Sequence, residues 1–448
     1  MRLRCLALIL FSLSSSLART QPDIANPHSE DTNWLNQYAH GLGEQHTELG
    51  LEALQLGDYA KAERSLLDAI QVIKVNQGLY STDQLRPLQY LIEAQLTLGE
   101  WHAAETQIEY FQWINVRNYR DSIFTYLNGT EALSGLLLAS SANVNNPYSV
   151  RHLVAAKNLN WQAVNAIEQT FGSNSLELAP WLYRIVLNHY YQSTMLRRQG
   201  LSNYSFKSDS SEIVSGWTMR HNETLEMSYR IGKELLGRIQ ELFAYHVADH
   251  EQISNDATAL MTIYQGDWEL LFGNDEEALE HYRSAYQDLL QMGRSEAQVD
   301  RFFDRPVSLP APRLQMQWPD QLAAESNEPL QFFAWSPMYP SASRPAEPRG
   351  DALAADDQQT ALARFDLTPA AEDEPADTIL ADTNLSLDNL QILGTTPDNE
   401  LTREQARVYI SLLQFRPRLV SGMPVKLENI ELEYLFPPQM SLLPLLDP

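Results

Sequence analysis

Cysteine is almost absent from this chain of 448 residues; Cys5 is the only one. It falls in a stretch that reads as a secretory signal over residues 1–18. Arg2 and Arg4 form its charged start, Leu6 to Leu13 its apolar core, and Ser16-Leu17-Ala18 puts small residues where a signal peptidase reads. Cleavage would leave no thiol, which excludes disulfides, thiolate nucleophiles, cysteine-bound zinc and lipid attachment through cysteine. It also suits an oxidising compartment, so the expected location is the periplasm. Long apolar runs are missing as well. The core of the signal is far shorter than the ~20 residues a spanning helix needs, and no later segment approaches that length without charges. No membrane span is expected after cleavage. Basic residues are scarce: without Arg2 and Arg4 they number 30 against 58 acidic ones. A field of that sign repels phosphate backbones and anionic head groups, which argues against nucleic acid and membrane surfaces as partners. The chain also lacks a phosphate-cradling glycine loop, a nucleophile elbow and a motif-anchored Ser/His/Asp arrangement. No catalytic residue, cofactor or metal ligand is assigned.

What the chain does contain is a repeat. Gly57-Asp58-Tyr59-Ala60-Lys61-Ala62 is followed by Leu66 and Ala69, and Gly99-Glu100-Trp101-His102-Ala103-Ala104 by Ile108 and Phe111, at a constant offset of 42 residues. A third copy begins at Gly273, continues to Ala278, and is followed by Tyr282 and Ala285. Glycine permits a tight turn between antiparallel helices, the alanines let the second helix approach the first, and the large residue between them fills the groove. One hairpin cannot bury its own apolar face, so neighbours are expected to stack. The sequence NDEEALEHYRSAYQDLL resembles the second helix of a tetratricopeptide repeat. The longer offset resembles the kinesin-light-chain-like subgroup, as does the connection Gly78-Leu79-Tyr80-Ser81 with Pro87-Leu88, loosely echoed at Gly172-Ser173-Asn174-Ser175 with Pro180 and Leu182. Between about 120 and 255 the pattern stays helical without a clean register, and Asn143 to Pro147 and Gly200 to Ser211 read as loops.

The expected organisation is a signal over 1–18, a leader over 19–33, a helical repeat domain over 34–292, a connector over 293–360, a small α+β domain over 361–437 and a tail over 438–448. The fold class is mainly α. The connector is rich in proline, which forbids long helices, yet holds Phe302, Phe303, Trp318, Phe332, Phe333 and Trp335. So many aromatics predict an extended segment packed on a neighbour over 293–340. Strands are predicted over Ala363 to Thr368 and Leu385 to Gly394, with the acidic stretch Ala371 to Asp382 as their loop.

Thr402 with Gln405 predicts a capping box, and Ala406, Tyr409, Ile410 and Leu413 one buried helical face. Ser421-Gly422 predicts a turn. Ile430, Leu432, Tyr434 and Phe436 alternate with Glu431 and Glu433, predicting a strand whose glutamates face solvent. The stretch from Phe415 to Val425, FRPRLVSGMPV, resembles the FxPxxxxGxPV signature of the C-terminal domain of TonB-type energy transducers. In that family a helix runs into the signature and a last strand ending in Phe closes a small sheet. The resemblance points to a bacterial envelope protein. It implies that partners are met by adding strands, at an open edge beside Ile430, Leu432, Tyr434 and Phe436; the tail Leu442 to Leu446 is the alternative cover for that edge. Arg416 and Arg418 are candidates for a partner's carboxylates, or for the domain's own. Two departures count against transduction itself. Residues 351–448 hold 17 acidic residues against 6 basic, and no inner-membrane helix is expected.

The remaining candidates for chemistry carry less. His246 and His250 share a helical face, but Val247 stands where a zincin needs Glu, so a solvated face is the reading preferred. Glu276-Glu277 and Asp356-Asp357 read as solvated carboxylates. Trp161, Trp181, Tyr190, Tyr191, Trp217 and Trp268 read as core, with sugar stacking as the alternative. Two functions are therefore expected: a non-enzymatic periplasmic interaction scaffold, accessory to a TonB-type transport system and meeting another envelope protein, or an envelope glycan binder or enzyme using the aromatic-rich middle.

Overall fold

A computed structural model describes residues 31–120, 122–142, 146–198, 225–249, 255–304, 306–319, 329–333, 360–369 and 385–436. The predicted signal, the Ala371–Asp382 loop, Gly200–Ser211 and the tail lie outside them. The described residues hold 12 helices and a small C-terminal sheet region, a mainly α fold with a small α+β domain.

Ten helices pair in chain order: α1 (Asp31–Gln55) with α2 (Tyr59–Gln77), α3 (Leu85–Leu98) with α4 (Trp101–Asn118), and α5 (Ile123–Ser141) with α6 (Ser149–Phe171). They continue with α7 (Leu178–Arg198) and α8 (Leu225–Asp249), then α9 (Asp256–Leu271) and α10 (Asp275–Gln291). Each second helix also packs on the first helix of the next hairpin, giving a stacked array.

The three repeat glycines do the same job. Gly57, Gly99 and Gly273 have φ of 74°, 75° and 82°, a left-handed conformation that costs glycine little. Each donates its N–H back to Leu54, Leu96 or Leu270, and the next N–H reaches Ala53, Gln95 or Glu269. This pair of bonds closes a Schellman motif and satisfies carbonyls the helix end leaves open. Ala62, Ala69, Ala104, Ala278 and Ala285 are all buried, as are Leu66, Ile108 and Tyr282 between them. A feature that the repeat pattern did not predict sits opposite. A Cβ on Gly50 would lie 2.6 Å from Leu66, and one on Gly266 would lie 2.8 Å from the Tyr282 ring. In the first and fifth hairpins a glycine thus makes room for the large groove-filling residue.

The connections recur too. Gly78 and Gly172 adopt φ/ψ of 95°/166° and 92°/164°, each donating to the carbonyl four residues back. Ser81 and Ser175 then each accept a bond from the N–H two residues on. In hairpins three and four the paired helices are separated in sequence by residues 142–148 and 199–224, spans longer than the two or three residues of the glycine turns. Helix α11 (Glu296–Phe303) follows the array, started by a Ser295–Gln298 capping box inside the stretch expected to be extended. Residues 306–319 beyond it are extended, apart from turns, and packed as expected.

In the C-terminal domain, β2 (Leu330–Phe333), β3 (Thr360–Pro369), β4 (Leu385–Thr396) and β8 (Leu427–Leu435) form a four-stranded sheet in the order β2-β8-β3-β4. β3 is antiparallel to both neighbours, and β2 runs parallel to β8. α12 (Glu400–Ser411) packs on it through Ala406 and Ile410, against Leu432, Tyr434 and Phe436. Two expectations are corrected. The helix starts a turn before Thr402, because Asn399 caps it by accepting from the Thr402 N–H at 2.8 Å. Thr402 is then inside the helix and buried. Glu431 is half-buried rather than solvent-facing, since its cross-strand neighbour Arg364 pairs with it at 2.5 Å. Four short strands form two further pairs: β5 (Gln414–Arg416) with β1 (Val307–Leu309), and β6 (Leu419–Val420) with β7 (Met423–Pro424). Between β6 and β7, Ser421 and Gly422 both have positive φ, as a two-residue hairpin turn requires.

Candidate functional site

The FRPRLVSGMPV segment engages the array of its own chain. Arg416 is buried and binds both carboxylate oxygens of Asp267 on α9, at 2.9 and 2.5 Å. Burial works against the charge of Arg416, but Asp267 beside it more than offsets this and holds the guanidinium above its ordinary range. The Tyr282 hydroxyl donates to the same carboxylate at 2.9 Å. Gln414 donates to the Leu270 carbonyl, Arg418 pairs with Asp304, and Ser421 reaches Asp300 and Glu296 on α11. Leu419 is fully buried among α9, α10 and α11, and Gly422 lies over Tyr286. Arg416 and Arg418 were candidates for a partner's carboxylates or for those of their own domain. The structure gives them carboxylates of the helical region and its α11 extension instead.

The edge beside Ile430, Leu432, Tyr434 and Phe436 is likewise taken. Leu330 to Phe333 from the connector pair with Leu432 to Leu435, so β8 is an inner strand. Neither the open edge nor the tail describes it. The sequence pattern missed β2 because four residues in a proline-rich stretch are too few for a periodic signal. Leu432, Tyr434 and Phe436 are buried and Ile430 half-buried, sharing one face as predicted. Tyr409 stacks on Tyr434 and meets Phe436 edge-on.

A second segment lies on the array. Residues 306–319 cross α7 and α9, the first helices of hairpins four and five. The Tyr183 hydroxyl donates to the Ala311 carbonyl at 2.7 Å. Tyr264 donates to the Arg313 carbonyl at 2.7 Å and accepts from the Gln315 N–H at 2.8 Å. The two rings meet edge-on at 5.2 Å. Burial pushes the Tyr264 hydroxyl up to about 12 and raises that of Tyr183 well above its ordinary value, so both stay neutral hydrogen-bonding groups. Side chains of Val307, Ala311, Leu314 and Met316 join the apolar core. The array thus holds an extended segment mostly through its main chain, while small and aliphatic side chains fill the gaps.

One arrangement resembles catalytic machinery. His152 lies 2.5 Å from Glu105 through Nε2, and its Nδ1 is 2.6 Å from Ser140 and 3.0 Å from Asn146. Arg151 also reaches Glu105, at 3.2 Å. Burial pushes the Glu105 carboxyl up, but the bonds and charges of His152 and Arg151 outweigh it and leave the carboxyl below the usual range. All four of Ser140, His152, Glu105 and Asn146 are buried. They tie α4 to α5 and α6, doing for the third hairpin part of what the glycine turn does elsewhere. A related knot joins hairpins four and five, where Tyr229, Lys233 and Asn274 all donate to buried Glu269.

His246 bonds the Asn174 carbonyl at 2.6 Å and lines an open depression of about 350 Å³ with Phe171, Glu177 and Tyr245. His250, Trp217 and Asp356-Asp357 lie outside the described residues. Trp181, Tyr191 and Trp268 are buried in the core, and the partly buried Trp161 and Tyr190 pack against it. Glu276 and Glu277 are exposed. Among the described residues no helix is long and apolar enough to cross a membrane. No protein-family model matches the chain, and neither does any curated protein.

Proposed function

We propose that this protein is a non-enzymatic interaction scaffold of the bacterial periplasm whose helical array holds polypeptide segments, including those of another envelope protein. The observation that carries this reading is the strap over 306–319, held on α7 and α9 by main-chain bonds to Tyr183 and Tyr264. A surface that grips one extended segment in this largely sequence-independent way is suited to gripping others. The Schellman turns, buried alanines and recurring connections support the finer resemblance to tetratricopeptide repeats. α12 running into the signature, and β8 ending beside Phe436, support the resemblance of the last domain to those of TonB-type transducers. Its signature and last strand are nevertheless engaged within the chain, which favours a scaffold over a transducer that docks through them.

The test is crosslinking in cells, with photoreactive residues at exposed positions of the array such as Glu276. A discrete product joining the chain to a second envelope protein is expected. Recovery of the chain in the cytoplasm, or of intrachain products alone, would overturn the reading.

A further inference from the structure

Helices α2 and α4 and the connection after α2 carry an aromatic surface that remains exposed among the described residues. Trp113 of α4 lies 4.5 Å from the ring of Tyr80 and 6.0 Å from that of Tyr110. Trp113 and Tyr80 remain 42% and 48% exposed, and Leu79 and Val116 beside them are more open still. Two cations sit over these rings. The Arg117 guanidinium is 3.7 Å from the Tyr80 centroid and 4.4 Å from that of Trp113, and the Lys74 ammonium is 4.2 Å from that of Tyr110. Neither has a carboxylate within ion-pair distance among the described residues, whereas most arginines of the array are paired.

Each element of this surface has a bland use: the Tyr110 hydroxyl bonds the Leu79 carbonyl at 2.8 Å and helps hold the connection in place. That bond engages Tyr110, and Arg117 lies over one side of Tyr80 and Trp113, yet both rings keep nearly half of their surface exposed. Trp, Tyr and Arg are the residues that dominate binding energy at protein interfaces, and a contiguous exposed apolar patch on a soluble domain marks an interaction site. The cations state the chemistry of the occupant. They are fixed by the rings before any ligand arrives, so less side-chain freedom is lost on binding. The net charge of −26 on the chain does not forbid an acidic ligand. Charges farther than a screening length of about 8 Å are largely damped at physiological salt, which leaves the local cations in control.

We propose that this surface, Lys74, Tyr80, Trp113 and Arg117 with Leu79 and Val116, docks an acidic peptide segment with apolar anchors, presented by another protein. The guanidinium of Arg117 takes a carboxylate through two of its N–H groups, Lys74 takes a second, and an aliphatic or aromatic side chain settles on Trp113. The inference rests on the scaffold reading and names its partner's chemistry.

The experiment uses the full mature chain and a short fluorescein-labelled peptide that alternates Glu with Leu, followed by anisotropy. The control peptide alternates Lys with Leu. The acidic peptide is expected to bind, and to bind more weakly as salt rises, while the basic control does not. Arg117→Glu, at an exposed position, and Lys74→Glu, at a half-buried one, are each expected to weaken binding by about tenfold or more, and Trp113→Ala likewise. If Trp113→Ala unfolds, the two charge reversals decide alone. Failure of the acidic peptide to bind, equal binding of the basic control, or binding that survives both reversals would overturn the proposal. Crosslinks to a second protein from Glu276 would then leave the scaffold reading standing without this site.

Discussion

Gly266 and Gly237 allow the packing of the repeat to be separated from helix propensity. Both lie inside helices, α9 and α8, and replacing either with alanine gains about 0.5–1 kcal/mol of intrinsic helix preference. Their surroundings differ. A Cβ on Gly237 meets nothing within 4 Å, so Gly237→Ala should be stabilising by roughly that amount. A Cβ on Gly266 would lie 2.8 and 3.0 Å from two Tyr282 ring carbons and 3.1 Å from the Ala278 carbonyl oxygen. The carbonyl belongs to a helix and cannot step aside. Nor can the ring, since its hydroxyl is tied to Asp267, which is itself tied to Arg416. Overpacking of this kind costs about 1–3 kcal/mol. The gain in propensity is common to both variants, so the gap between them should be about 1–3 kcal/mol, with Gly266→Ala the less stable. In a thermal scan this corresponds to about 2–4 °C for each kcal/mol. Urea titration followed by far-ultraviolet circular dichroism measures the same gap isothermally. If Gly266→Ala proved as stable as Gly237→Ala, the hairpin packing described for α9 and α10 would be refuted.

Ala278→Leu should cost about 1–3 kcal/mol, because Ala278 is buried against α9, and an unchanged midpoint in the same titration would contradict the register. Asp267→Ala strands the buried guanidinium of Arg416 and should cost about 3–5 kcal/mol, with much of the loss recovered on adding Arg416→Met. Failure of the second substitution to recover stability would show that the first acts elsewhere. For Glu269, burial pushes the carboxyl up, but the donors Lys233, Asn274 and Tyr229 outweigh it and leave the folded group below its ordinary range. Its contribution is therefore complete above the unfolded value of about 4.3 and is lost as pH falls through the lower folded value. Wild-type urea midpoints should drop as pH falls below about 4.3, and Glu269→Gln should flatten that slope. An unaltered slope in the variant would remove Glu269 from the acid response.

The parts of the fold that could be read in advance are those set by neighbours in sequence. A left-handed turn needs glycine at one position, and a close helix pair needs alanine at fixed distances beyond it, so Gly57, Gly99 and Gly273 announced their hairpins. Hairpins three and four have no such local device. Their ends are set by groups such as Asn146 and His152, whose partners Ser140 and Glu105 lie on other helices. The start of α12 failed for a different reason: Asn399 and Thr402 both suit an N-cap, and spacing alone does not choose between them. The site was the least legible. Arg416 and Asp267 are 149 residues apart, and β2 pairs with β8 across about a hundred residues of chain. Nothing local in FRPRLVSGMPV distinguishes a segment that waits for a partner from one already satisfied by its own array. The cations over Tyr110, Tyr80 and Trp113 also needed the third dimension, since Lys74 and Arg117 come from different hairpins.

Hydrogen exchange of the amides in residues 414–424, measured on the purified full chain without any partner, tests most directly whether the signature segment belongs to the array. The account predicts protection comparable to that of α9 and α10. It also predicts that Asp267→Ala removes this protection while β3 and the paired part of β8 keep theirs. Free exchange of 414–424 in the isolated wild-type chain, with protection arising only when another envelope protein is added, would contradict it.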